Sequence, residues 1–166
     1  MIVRASYVGL GLVLVAVSGS ADGDDLPNAL HALRTLSSVV KDGMPRGEYE
    51  RRVLETKTVV NRYVARPDTD GRSLAVVRAR GLYITAAAAW PFSVAGGDPP
   101  SANPDCPPAS DYLRFVFEDS PARVPGRAPA LIRGSYKRAV PIYWSCASTW
   151  IRAAEGGPEP RWPARP

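Results

Sequence analysis

Cys106 and Cys146 are the side chains of this sequence whose chemistry depends most on their surroundings. They are the only two cysteines and lie far apart, so they do not form the Cys-x-x-Cys spacing of redox or haem-attachment motifs. In an oxidising compartment such a pair forms a structural disulfide. We therefore predict a Cys106–Cys146 bond that fastens the last helix to the end of a proline-rich loop, with a free or buried pair as the alternative.

His31 is the only histidine. A transition-metal site built on it needs further nitrogen or sulfur ligands, and two cysteines engaged in a disulfide leave only carboxylates. A general base needs a nucleophile beside it, and the sequence has no Gly-x-Ser-x-Gly motif, no His-Glu-x-x-His motif and no phosphate-binding glycine loop. We predict a surface or boundary histidine, and no catalytic residue, metal or cofactor.

The segment Asp68-x-Asp70-Gly71 resembles the middle of a calcium-binding loop. In that register the first ligand position falls on Arg66 and the bidentate acidic position falls on Val77. Neither residue can supply a side-chain oxygen to calcium, so the match fails. We predict a turn that precedes the third helix.

Aromatic side chains are the remaining candidates for binding. Those on predicted helices are Tyr49, Tyr63, Tyr83, Trp90, Tyr136, Tyr143, Trp144 and Trp150. Such rings can line a pocket or a partner surface, but most lie on apolar stripes, which favours a role in the core. Trp144 lies off the main stripe of its helix, so we predict a binding surface there, with Arg138, Trp150 and Tyr136 as its companions.

Residues 1–21 have the composition of a secretory signal peptide. Arg4 precedes an uncharged run over residues 7–17, and small residues follow at 18–21. The run gives about 16 Å of helix, roughly half of the hydrocarbon core of a membrane. We predict cleavage after Ser20 or Ala21, export to the periplasm or the extracellular medium, and no stable membrane insertion afterwards. A retained anchor is the alternative.

The charge of the chain is mildly basic, with 21 Lys and Arg against 16 Asp and Glu. These bases are dispersed rather than gathered into a stripe with aromatic residues between them, which argues against a nucleic-acid partner. They are mostly arginine, and together with abundant alanine, proline and glycine this is typical of a GC-rich bacterial genome.

Apolar periodicity in the first half predicts three helices. The first extends over residues 26–41, and the second follows so closely that residues 26–64 should form a helical hairpin. One face of the second helix carries Tyr49, Val53, Thr56, Val60 and Tyr63. The third helix contains four consecutive alanines, which allow close approach of a neighbour, and ends at Pro91.

Prolines and glycines organise the second half. They predict a long surface loop over residues 91–108. Residues 112–118 alternate like a strand but also fit a helix capped by Ser110 or Asp111; we favour the helix because a strand has no partner here. A last helix over residues 130–154 should kink or break at Pro141, and residues 158–166 should form a disordered tail.

These patterns predict an all-α single domain over residues 22–157, a bundle of four or five helices with one disulfide. We expect a non-enzymatic binding or interaction module in a bacterial cell envelope, with an envelope protein or a small ligand as its partner. The alternative is a small-molecule-binding protein or enzyme with an aromatic and Arg-lined pocket, and contact with a cell-wall polymer is a third possibility. A contiguous exposed apolar surface supports the first hypothesis, whereas a closed pocket supports the second.

Overall fold

The predicted all-α fold is confirmed. The computed structural model describes residues 25–41, 43–65, 71–90, 103–116 and 128–162, and these contain helices but no strand. The five helices are α1 (Asp25–Lys41), α2 (Arg46–Val64), α3 (Arg72–Ala89), α4 (Pro107–Arg114) and α5 (Ala128–Ala154). The predicted signal peptide, residues 66–70, most of the predicted loop and the last four residues lie outside the described residues.

Helices α1 and α2 pack against each other as the predicted hairpin. Gly43 has a positive φ of 80°, which suits the chain reversal after α1, and Pro45 is the N-cap of α2. The predicted apolar face of α2 is buried at Tyr49, Val53 and Val60. The hairpin therefore places the Tyr49 ring inside the bundle, next to α3 and α5.

The opposite face of α2 carries ion pairs between neighbouring turns. Arg46 Nε lies 2.7 Å from a Glu50 oxygen, and Arg52 Nε lies 2.9 Å from Glu48. Arg51 also pairs with Glu48, and the hydrogen bonds from both arginines hold the pKa of the Glu48 carboxyl below its ordinary value. These exposed pairs contribute little to stability, but they satisfy the acids on this surface.

The centre of the bundle is the interface between α3 and α5, the most extensive pairing of helices in the fold. Small side chains on both helices, such as Ala79, Ala86 and Ala147, are fully buried. A methyl group fills little space, so the two backbones can approach closely. The predicted role of the alanine run in close packing is confirmed by the burial of Ala86 and Ala89.

Helix α4 begins earlier than expected. Its N-cap is Cys106 rather than Ser110 or Asp111, and Pro107 opens its first turn, so the predicted loop gives way to helix two residues before its end. Proline is well suited to the first turn because the amide hydrogens there have no partner within the helix. The helical interpretation of this region is confirmed as far as Arg114.

The predicted disulfide between Cys106 and Cys146 is present, with 5.7 Å between the two Cα atoms. Both residues are buried. The bond joins the start of α4 to the middle of α5. A further contact beside it is the indole N–H of Trp150, which donates to the carbonyl of Asp105 at 2.9 Å. Segment 103–106 is thereby fixed to α5 from two points.

Helix α5 is continuous through Pro141, so the break that we considered there does not occur. Pro141 is exposed. A proline in a helix deprives one carbonyl of its donor, and on a solvent-facing side water can satisfy that carbonyl. Because the helix is continuous, residues before and after Pro141 can lie on the same helix face.

The end of α5 turns the chain back onto the bundle. Gly157 N donates to the carbonyl of Arg152 at 2.9 Å, and Gly156, with φ of 95°, donates to Ala153 at 3.0 Å. This is the double hydrogen bond of a Schellman motif. Residues 158–162, which we expected to be disordered, instead lie against the helices: Trp162 packs on the core, and Glu159 pairs with Arg78 at 3.2 Å.

Candidate functional site

The four predicted binding residues lie on α5 but do not form one surface. Tyr136 and Trp150 are buried, Trp144 is half-buried, and Arg138 is exposed. Their spacing along a helix turns them toward different neighbours. Trp144 faces α2 and the end of α3, whereas Trp150 faces Arg78 of α3. The aromatic residues mainly fill the core, as the apolar stripes predict.

Trp144 belongs to a cluster of three rings. Its ring centroid lies 5.7 Å from that of Tyr49 and 5.5 Å from that of Trp90. The Trp144 indole N–H donates to the Tyr49 hydroxyl at 3.0 Å, and this hydroxyl donates to the Tyr83 carbonyl at 2.8 Å. The rings thus connect α2, α3 and α5 and have a structural role.

Burial changes the ionisation of three tyrosines. Desolvation raises the pKa of the hydroxyls of Tyr49, Tyr83 and Tyr143 above their ordinary value. A phenolate in an apolar interior loses its hydration, so the neutral phenol is favoured. None of these hydroxyls is therefore poised to act as a general base near neutral pH.

Trp150 forms one side of a cleft of about 270 Å³ between α3 and the segment after α5. The Arg78 guanidinium lies 4.5 Å from the ring centroid of Trp150. It also lies 3.1 Å from Asp105 and 3.2 Å from Glu159. Its charge is therefore matched by two carboxylates of the chain itself, and the arrangement fastens the tail to α3.

A second cleft, of about 400 Å³, lies between α1 and α5. Its apolar wall is formed by Val40, Pro141 and Trp144. Its polar wall is formed by Ser37, Ser145, Ser148 and Arg152. The predicted candidate Trp144 thus lines a cavity, and the arginine of that cavity is Arg152 rather than Arg138.

The outer face of α3 is an apolar stripe exposed to solvent. Its large side chains are Leu74, Val77 and Ile84, which are 52%, 42% and 40% exposed. Gly81 lies between Val77 and Ile84 in sequence, and Ala88 follows Ile84 after one turn. The five residues are therefore spaced three or four apart, as on one face of a helix. We call Leu74, Val77, Gly81, Ile84 and Ala88 the α3 stripe. Leu54 of α2 and Phe115, which directly follows α4, are also exposed, but they do not belong to this face.

Arg80 lies at the edge of the α3 stripe, within one turn of Val77 and Ile84. Its Nε is buried and has no hydrogen-bond partner among the described residues, and burial lowers the pKa of the guanidinium. No acid in the described part of the chain pairs with it. Within the part of the chain that the structure describes, Arg80 is therefore a partly buried cation without a counter-charge.

Sequence reasoning missed the α3 stripe because α3 is apolar on more than one face. Leu74 and Val77 contribute to the apolar periodicity that predicts the helix, which does not distinguish an exposed face from a buried one. The signal that distinguishes the stripe is the second half of α3, residues 81–89, which has no charged residue on any side. Because this half of the helix has no charged side chain, whichever of its faces meets solvent exposes mainly apolar side chains.

His31 is exposed on α1, in agreement with the prediction. The described residues contain no group of His, Cys, Asp and Glu placed to hold a metal ion. Within the same residues, every helix is too short or too polar to cross a membrane.

No protein-family model, curated protein or solved structure matches this chain. A likeness to a known protein therefore supplies no function for the stripe or for the two clefts.

Proposed function

We propose that this protein is an exported interaction module whose α3 stripe binds an acidic amphipathic helix of another protein. The observation that carries the proposal is the α3 stripe itself, an apolar face at whose edge lies Arg80, which no acid of the described residues pairs with. Exposed apolar side chains gathered on one face, unlike scattered ones, are typical of interaction sites.

The shape of the stripe suits a helix. Along the helix axis, Leu74 and Val77 precede Gly81, and Ile84 and Ala88 follow it. Apart from the backbone of α3 itself, no atom of the described residues lies within 4 Å of the point where a Gly81 side chain would begin. A partner helix crossing at Gly81 can approach the backbone of α3 closely, with large apolar side chains on either side. Its contacts would be those of an amphipathic helix in an apolar groove.

The charge of α3 defines the chemistry of the partner. The helix carries Arg72, Arg78 and Arg80 and no acidic residue. Because Arg78 is paired with Asp105 and Glu159, Arg80 is the cation that a partner carboxylate can reach beside the apolar contacts. Arginines that are partly desolvated next to apolar side chains are frequent centres of binding energy.

A second copy of the chain fits this surface less well. Two α3 stripes packed together bring arginines and no carboxylates to the interface. The acids Glu48 and Glu50 of α2 are already held by arginines of the same helix. Charge complementarity therefore favours a different, acidic partner.

Export is the second part of the proposal. A disulfide is typical of an oxidising compartment, and the Cys106–Cys146 bond supports the signal peptide inferred for residues 1–21. Intact mass spectrometry of the protein made with its own N-terminal segment tests this. We expect the periplasmic fraction to contain a chain that begins after Ser20 or Ala21 and lacks two hydrogens. A full-length chain in the membrane fraction would contradict export.

A peptide titration tests the interaction. The probe is a fluorescent synthetic helix with leucines on one face and glutamates beside them, and fluorescence anisotropy gives its affinity for the disulfide-bonded protein. We expect Val77→Asp to weaken binding by about tenfold or more, because it places a carboxylate on the apolar face. The matched control is Leu54→Asp, an apolar-to-acid change at an exposed site on α2. Equal losses in both variants would contradict the proposal.

A further inference from the structure

The cleft between α1 and α5 has the composition of a small-ligand site. Its volume of about 400 Å³ lies within the range of such sites. We propose that it binds a small organic carboxylate with a flat apolar body. This site is separate from the α3 stripe, and the two proposals do not depend on each other.

The floor of the cleft is a set of neighbouring hydroxyl groups. The oxygens of Ser37 and Ser148 are 3.1 Å apart, and Ser148 donates to the carbonyl of Trp144 at 3.0 Å. The proton of Ser148 is thereby used, so Ser37 is the donor in the pair. The buried Tyr83 hydroxyl lies beside both serines, which lower its pKa against the larger effect of burial.

A carboxylate in the cleft can accept a hydrogen bond from this set. The Ser37 hydroxyl can rotate and donate to a carboxylate oxygen, since a hydroxyl proton is free to turn. A hydrogen bond to a charged acceptor is stronger than the bond between two neutral hydroxyls that it replaces, so this exchange favours binding.

Arg152 supplies the positive charge at the rim. One of its nitrogens, Nη2, donates to the Thr149 hydroxyl at 3.1 Å, and no acid among the described residues pairs with the guanidinium. The nearest acid along the helix, Glu155, lies 2.6 Å from Arg34 and is engaged there. A guanidinium and a hydroxyl together are a common recognition pair for a carboxylate. The Arg152 guanidinium and the Ser37 hydroxyl therefore favour a ligand with a negative charge.

The apolar wall sets the shape of the ligand body. The Trp144 indole is half-buried and its N–H is already bound to Tyr49, so it offers ring surface rather than a donor. Pro141 and Val40 complete this wall. Aromatic rings and proline rings favour contact with a flat apolar group.

Isothermal titration calorimetry with naphthoate tests the proposal. The neutral analogue naphthalene methanol keeps the rings and removes the charge, and we expect it to bind at least about tenfold more weakly. Arg152→Gln should weaken naphthoate binding by about tenfold, and Ser37→Ala should also weaken it. The matched control is Arg138→Gln, an exposed arginine on the same helix that does not line the cleft.

Three results would overturn the inference. They are no binding of naphthoate at millimolar concentration, equal affinity for the acid and the alcohol, and the same loss in Arg138→Gln as in Arg152→Gln. None of these results bears on the α3 stripe, because the peptide titration is done in the absence of naphthoate.

Discussion

The indole N–H of Trp144 donates to the hydroxyl of Tyr49 at 3.0 Å, a bond between α5 and α2 inside the bundle. The same hydroxyl donates to the Tyr83 carbonyl of α3 at 2.8 Å. Tyr49 is fully buried, so its hydroxyl has no access to water. One phenol oxygen thus satisfies polar groups from two other helices.

Tyr49→Phe is expected to reduce the free energy of unfolding by about 1–3 kcal/mol. The substitution keeps the ring and leaves the N–H of the half-buried Trp144 without its acceptor. Urea denaturation measures the change. Tyr112→Phe is the control: Tyr112 is only half-buried, so a change within about 0.5 kcal/mol is expected. A loss no larger in Tyr49→Phe than in Tyr112→Phe would show that the bond does not hold the helices together.

Stability should fall at alkaline pH. Burial raises the pKa of Tyr49, Tyr83 and Tyr143 above 10.0, the ordinary value. The stabilisation from the neutral phenols is complete below the unfolded pKa and is lost as the pH rises above it. Each tyrosine contributes a slope of up to about 1.4 kcal/mol per pH unit. Urea midpoints measured from neutral pH upward should stay level until about pH 10 and then drop. A midpoint that is level beyond that pH would contradict the burial of these hydroxyls.

Loss of the disulfide should destabilise the fold strongly. Cys106 and Cys146 close a loop of 40 residues, and replacing both with alanine is expected to reduce the free energy of unfolding by about 4 kcal/mol. The physical reason is the larger conformational freedom of the unfolded chain. Thermal unfolding of the double variant and of the reduced wild-type protein should agree. If neither differs from the oxidised protein, the bond has no such role.

The Schellman motif after α5 gives a prediction about glycine. A side chain at Gly157 would begin 2.7 Å from the carbonyl oxygen of Arg152, so Gly157→Ala should destabilise the protein by about 1–3 kcal/mol. Gly81→Ala is the control, since its site is open and helical, and it should stabilise by about 0.5–1 kcal/mol. Chemical denaturation of both variants measures these changes. Equal effects would contradict the close contact at Gly157.

The helices could be predicted because each one repeats apolar residues at helical spacing. The stripe of α5 from Tyr136 to Trp150 is buried as expected, and the pairing of Cys106 with Cys146 followed from their number and the inferred compartment. The docking of residues 158–162 could not be predicted, because it depends on the contact between Glu159 and Arg78, which are far apart in sequence.

The candidate sites were harder to predict than the fold. The position of Trp144 beside a cleft was anticipated, but its companions Ser37 and Ser148 come from two helices whose register no local pattern reveals. The α3 stripe could not be recognised from the sequence, because an apolar residue has the same spacing whether its face meets another helix or solvent. Only the packing of α3 on α5 shows which face is left uncovered.

Charge reversal at Arg80 tests the central claim most directly. Anisotropy titrations compare the glutamate-flanked helix with the same peptide carrying lysines, against wild-type protein, Arg80→Glu and the control Arg62→Glu on the exposed side of α2. We predict that wild type and Arg62→Glu prefer the acidic peptide, and that Arg80→Glu prefers the basic one, with a change in the affinity ratio of about tenfold or more. An unchanged preference in Arg80→Glu, or the same reversal in Arg62→Glu, would contradict the assignment of the α3 stripe as the binding surface.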